Sequence, residues 1–139
     1  MPLLPLDCVQ AAVILPVMTL DQYNAFCAGL PHATHVVQWG GAHVWKVSSK
    51  VFAIAGWQER GRAPHITFKC SRLSFELLKE QKGCRPAPYL ASRGLLWIQR
   101  TGKESLSDED LKGYLRESHR LAAANLTRKL RQKLGLAQA

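Results

Sequence analysis

Charge is nearly missing from the first 57 residues, which hold only two bases (Lys46, Lys50) and two acids (Asp7, Asp21). Acids are scarce throughout: 10 against 19 Lys and Arg, for a formal net charge of +9 and an isoelectric point near 9.8. Paired cysteine spacing is also missing. Cys8, Cys27, Cys70 and Cys84 form no C-x-x-C and no short even ladder, which excludes a disulfide framework or zinc knuckle and fits a reducing, cytoplasmic compartment. No apolar run approaches the roughly 20 residues of a transmembrane helix. The stretch Ala11-Ala12-Val13-Ile14-Leu15 lacks a basic flank and is interrupted by Pro2, Pro5, Asp7 and Pro16, so neither a secretion signal nor membrane association is expected. There is no G-x-S-x-G, no G-x-x-x-x-G-K-[ST] and no G-x-G-x-x-G, so a nucleophile elbow and a glycine phosphate cradle lack support. No enzyme and no cofactor are expected.

What is present is ordinary globular material: 47% hydrophobic and 21% charged residues in a 139-residue chain, enough for one core and too apolar for disorder. The reading divides the chain into a loosely held extension over 1–17, a single domain over 18–135 and a tail over 136–139. Met18 directly precedes a helix start, so either Met1 or Met18 serves as the start.

Thr19-Leu20-Asp21-Gln22 has capping-box spacing, and Leu20, Tyr23, Phe26, Cys27 and Leu30 supply an apolar stripe that ends at Gly29 and Pro31. The pattern then changes to short β-rich runs, Val36–Trp39, His43–Val47 and Lys50–Ala55, separated by Gly40-Gly41 and Ser48-Ser49, which predicts an antiparallel meander. Residues 58–64 read as a loop and His65–Lys69 as a fourth strand. Ser71 or Ser74 caps a second helix with Phe75, Leu77 and Leu78 inward and Gly83 at its end. Pro86 and Pro88 predict an irregular segment over 84–94, followed by a fifth strand at Leu95–Gln99. Ser105–Asp110 supplies a cap and three acids to the N-terminus of a long final helix, where the macrodipole favours them. Arg128–Lys133 is a basic tail with the makings of a shorter helix. The predicted class is α+β, a two-layer antiparallel sheet with flanking helices in the order α-β-β-β-β-α-β-α.

At this point particular residues carry a resemblance. Trp45-Lys46-Val47 through Lys50-Val51-Phe52-Ala53, then Arg85-Pro86-Ala87-Pro88-Tyr89-Leu90, Trp97, and Glu117-Ser118 with Leu121-Ala122-Ala123 resemble the YjbR/MmcQ family over nearly all of the chain after Met18. The resemblance implies a fold like that of CyaY-like proteins and type III secretion chaperones, and a DNA-binding role. Two departures stand out: His119 follows Ser118 where a tyrosine is expected, and Asn125-Leu126-Thr127 stands where the family often has a proline.

Of the charged residues, 17 bases and 8 acids fall after residue 57, so that half would face a polyanion. The candidate nucleic-acid contacts are Arg60 and Arg62 at a hairpin tip, Lys69 and Arg72 at a strand-to-helix junction, Arg85, Tyr89 and Arg93 in the proline segment, and Arg116 and Arg120 on the final helix. Phosphate neutralisation is their expected task. No recognition-helix signature is present, so weak sequence preference is expected, with DNA ahead of RNA. His32, His35, His43 and His65 have no spacing that fixes a metal-binding face, and no metal site is expected. The alternative function is a protein-binding adaptor or chaperone-like module acting through the sheet face with Trp39, Trp45, Trp57 and Trp97, or through a homodimer interface. A third reading is a small-molecule pocket walled by Tyr89 and Trp97.

Overall fold

The computed structural model describes residues 18–56, 64–88 and 90–136; the expected extension over 1–17 lies outside them. Helix α1 (Leu20–Ala28) opens with the capping box: the Thr19 hydroxyl accepts from the Gln22 N–H at 3.1 Å and the Gln22 side-chain oxygen accepts from the Thr19 N–H at 2.9 Å. Tyr23 and Cys27, four apart, share its buried face. The meander follows as β1 (Ala33–Gln38), β2 (Ala42–Val47) and β3 (Lys50–Ala55), all antiparallel. Trp39 is not its expected last strand residue. It sits in the turn at φ 51°, ahead of Gly40 and Gly41 at 78° and 116°, and the first strand starts earlier, at Ala33.

β4 (Ile66–Lys69) pairs with β3, and α2 (Arg72–Leu78) is capped by Ser71, which accepts from the Ser74 N–H. Leu78 is buried and Phe75 packs on the core, but Leu77, expected inward, is 58% exposed. A helix of seven residues shows the sheet only one side, and Leu77 lies about 100° round from Leu78. The segment expected to be irregular holds β5 (Cys84–Pro86) and a 3-10 turn (Ala91–Arg93) before β6 (Trp97–Arg100). Pro86 is tolerated because β5 is an edge strand. The sheet order is β1-β2-β3-β4-β6-β5. Ser107 caps α3 (Asp108–Ala124), accepting from the Asp110 N–H, and Thr127 caps α4 (Arg128–Leu134). The basic tail is therefore a helix of its own. No helix among the described residues is long and apolar enough to cross a membrane.

Helix α3 lies on one face of the sheet, against β2, β3 and β4. On that near face Phe52, Ala53, Ile66, Phe68 and Ile98 meet Tyr23, Leu111 and Leu115 in the main core. The far face has a smaller apolar cluster of Ala42, Val44, Ile54, Ala87 and Trp97. The α+β, two-layer antiparallel architecture is as expected.

Strand β3 carries a bulge: Trp45 pairs with Ala53 and Lys46 with Val51, leaving Phe52 as the extra residue. Successive residues of a strand alternate faces, yet Phe52 and Ala53 both join the near-face core because the bulge inserts between them. The bulge also strands the Phe52 carbonyl. Ser118 of α3, fully buried, donates its hydroxyl to that carbonyl and accepts from the Lys69 N–H at 2.8 Å, standing in for a missing rung between β3 and β4. Ser118→Ala leaves two buried backbone groups unpaired, and the expected loss is about 3 kcal/mol in urea unfolding.

At the other end of α3, Arg100 is 3% exposed, donating to the Leu106 carbonyl and to Asp108, both at 2.9 Å. Burial alone would raise the Asp108 carboxyl, but hydrogen bonds from Arg100 and the Met18 N–H, with the charges of Arg100 and Lys103, hold it below its ordinary value. A carboxylate lowered in the fold contributes stability above its unfolded value and loses that contribution as pH falls through the folded one. Asp108→Ala, which leaves a buried guanidinium unpaired, is expected to cost about 3 kcal/mol. Measured by urea unfolding against pH, the cost should be constant from neutrality to about pH 4 and shrink below it.

Candidate nucleic-acid interface

Directly opposed residues of antiparallel strands share a face. Across β4, β6 and β5 this places Thr67, Gln99 and Arg85 in one row and Lys69 with Trp97 in the next, all on the far face. Arg85 donates through Nε and Nη2 to the Gln99 side-chain oxygen at 2.8 and 2.6 Å, and Gln99 donates to the Thr67 hydroxyl at 3.1 Å. This relay fixes both the Gln99 amide and the guanidinium, and the neutral amide brings no counter-charge to Arg85. Lys69 places Nζ 5.9 Å from the centre of the Trp97 ring. Trp97 is buried in the far-face cluster with Ala87 and half-buried Leu90, whereas Tyr89, the other expected wall of a small-molecule pocket, lies outside the described residues. Arg93 is exposed in the 3-10 turn that follows Leu90. Among the described residues no carboxylate pairs with Lys69, Arg85 or Arg93.

The predicted set is therefore split. Arg116 and Arg120 project from the outer side of α3, whose inner side meets the near face through the Tyr114–Phe68 ring contact at 5.4 Å and through Ser118. They lie across the sheet from Lys69 and Arg85. Arg120 is locked onto Glu117 by two bonds at 2.9 and 2.6 Å, and that hydrogen-bonded pair holds the Glu117 carboxyl below its usual range. Arg116 rests over Phe26, 5.2 Å from the ring centre. Arg72 opens α2 and is exposed. Arg60, Arg62 and Tyr89 lie outside the described residues. Lys46, Thr67 and Gln99 were missed as members of the far face. Period-two alternation could have found the last two, since Thr67 alternates with Lys69 and Gln99 with Trp97.

Acids divide the same way. None of the six strands contains an Asp or Glu, whereas Glu76, Glu104, Asp108, Glu109, Asp110 and Glu117 sit on α2, α3 and the segment before α3. A groove of about 580 Å³ on that side is lined by Glu109, Asp110 and Glu117 with Leu78 and Tyr114, a setting that repels phosphate.

The other candidate chemistries are also placed. Burial pushes the Cys27 thiol up to about 12, and Cys70 likewise to about 12 against the pull of Lys69, so both stay protonated at neutral pH. His32 bonds the Leu134 carbonyl, and His119, in place of the expected tyrosine, bonds the Pro31 carbonyl at 2.7 Å. The Trp45 indole N–H donates to the Asn24 oxygen, which turns the Asn24 amide N–H toward His43 Nδ1 at 3.3 Å; His35 Nε2 reaches the same nitrogen at 2.9 Å. His43 Nδ1 is thus an acceptor, and burial together with His43 lowers the His35 pKa. No group of three or more His, Cys, Asp or Glu among the described residues is arranged for a metal ion.

The crystal structure of Deinococcus radiodurans protein DR2400, described by a DUF419 domain, superposes with a TM-score of 0.76 over 90% of this chain and 94% of that one, at 22% identity, and so shares its fold. No curated protein matches. The YjbR family model matches residues 28–121, a span from the end of α1 to within α3 that includes both rows of the far face. The chain belongs to the YjbR family.

Proposed function

We propose that the chain is a non-catalytic, cytoplasmic DNA-binding domain that holds the phosphate backbone against its far face at the β4-β6-β5 end. One observation carries this reading: the strands lack acids entirely, and their far-face cations Lys69 and Arg85 are held in place by neutral partners. A guanidinium already aimed by Gln99 loses little side-chain freedom on meeting a phosphate, and its donors in excess of the Gln99 bonds remain available. Lys69, stacked toward Trp97, is a second fixed cation, on ideal strand spacing roughly 12 Å from Arg85 between Cα atoms. Arg93 extends the line into the adjoining turn. These contacts read phosphate rather than base edges, so affinity should depend steeply on salt and weakly on sequence. The free thiols of Cys27, Cys70 and Cys84 agree with a reducing compartment.

Fluorescence anisotropy with labelled duplex and single-stranded DNA and RNA tests the reading. Three phosphate contacts predict a roughly 40-fold loss of affinity for duplex between about 50 and 200 mM salt. Lys69→Glu and Arg85→Glu should each weaken binding at least about tenfold and lower the log–log salt slope by about 1, whereas Arg116→Glu with Arg120→Glu should change it by less than about threefold at 200 mM salt. Absence of binding at low salt, or a larger loss from the α3 pair than from the far-face pair, would sink the proposal.

A further inference from the structure

The two edges of the sheet are built differently. β5 at one edge has three residues and includes Arg85 and Pro86, features that discourage pairing with another strand. β1 at the other edge has six residues, Ala33-Thr34-His35-Val36-Val37-Gln38, with no proline and no Lys, Arg, Asp or Glu. Its register with β2 runs from Ala33↔Val47 to Gln38↔Ala42 without a bulge, and among the described residues β2 is its only strand neighbour. Val36 and Val37, on opposite faces of the strand, are 36% and 52% exposed, and Trp39 just beyond is 51% exposed. The strand is also rigidly held. His35 stacks between His43 and Trp45, with ring centres 5.1 and 4.8 Å away, and the hydrogen bonds through Asn24 tie this stack to α1. A straight, uncharged, preorganised strand with apolar side chains on both faces is the type of edge that accepts another strand.

We propose that β1 pairs with β1 of a second copy of this chain, antiparallel about a two-fold axis, joining two six-stranded sheets into one. The strands at this edge bring little charge to the contact: residues 18–56 carry only Asp21, Lys46 and Lys50, and the β4-β6-β5 ends of two copies point away from each other. The bases of α4 lie at the Ala33 end of the strand, where His32 bonds the Leu134 carbonyl, and not in the ladder itself. The strand is also complementary to itself. Centred on Val36, the pairing sets Val36 against Val36, Val37 against His35 and Thr34 against Gln38, with each pair on a common face and no charged side chain in the ladder. Such a two-strand contact is small, so the dimer is a reversible one.

Sedimentation velocity on the full chain, freed of nucleic acid, tests this independently of DNA binding. Over about 5 to 500 µM the mean mass should rise from 15.5 kDa toward twice that value, the range expected of a small interface. Val37→Lys should stay at 15.5 kDa over the same range with an unchanged circular dichroism spectrum, as should Val36→Lys on the opposite face. In hydrogen exchange of the unmodified chain, added protection at high concentration should be confined to β1. A mass fixed at 15.5 kDa throughout, or a dimer that survives folded Val37→Lys and Val36→Lys, overturns the proposal.

Discussion

The hydroxyl of Ser118 is the contact on which the arrangement of both layers depends. It is fully buried, and it closes the gap that the β3 bulge opens by linking the Lys69 N–H to the Phe52 carbonyl. The bulge lets Phe52 and Ala53 both enter the near-face core, and the serine removes the penalty that a bulge next to a buried strand pair would otherwise carry. The same contact sets the depth and rotation of α3, because Ser118 is hydrogen-bonded to two strands at once. It also fixes Lys69. The contact anchors the Lys69 backbone, and the alternation of the strand, with Phe68 on the near face, puts the Lys69 side chain on the far face above Trp97.

From that constraint the charge distribution takes on meaning. A net charge alone says little about function, since solubility explains many basic domains. Here the bases and acids are sorted by layer. The acids of α3 crowd its first turn, those of α2 and α3 pair with Lys79, Arg100, Lys112 and Arg120, and Glu109, Asp110 and Glu117 line the groove between helices. The strands contribute cations only, and on the far face these meet neutral partners. One side is therefore balanced by its own ion pairs, while on the far face no carboxylate among the described residues pairs with Lys69, Arg85 or Arg93; under the proposed function an external polyanion supplies that counter-charge.

Much of this was legible in the sequence where local chemistry decides structure. The Thr19 capping box, the turn at Ser48-Ser49 and the acids at the start of α3 each act within a few residues. Misreadings came where a distant partner decides. Pro86 reads as a breaker, yet it sits at the end of an edge strand whose pairing with Ile98 requires knowing the sheet order. Trp39 has strand propensity but follows the strict needs of a turn with two glycines at positive φ. Leu77 looks inward by composition, but only Phe75 and Leu78 face the core on so short a helix. For the candidate interface, the cations were visible and their grouping was not. Lys69 and Arg85 share a face because β6 lies between β4 and β5, and Arg116 and Arg120 lie across the sheet because Ser118 turns inward; neither fact is local in sequence.

The claim that everything else supports is that phosphate contacts lie on the far face and not on α3. Titrating a short DNA duplex into nitrogen-15-labelled protein and following its resonances reads this directly. The account predicts that the Arg85 Nε, the Gln99 side-chain amide and the amides of Thr67, Lys69 and Trp97 shift while those of Lys112, Arg116 and Arg120 stay in place. Shifts concentrated on α3 with a silent β4-β6-β5 end would contradict it.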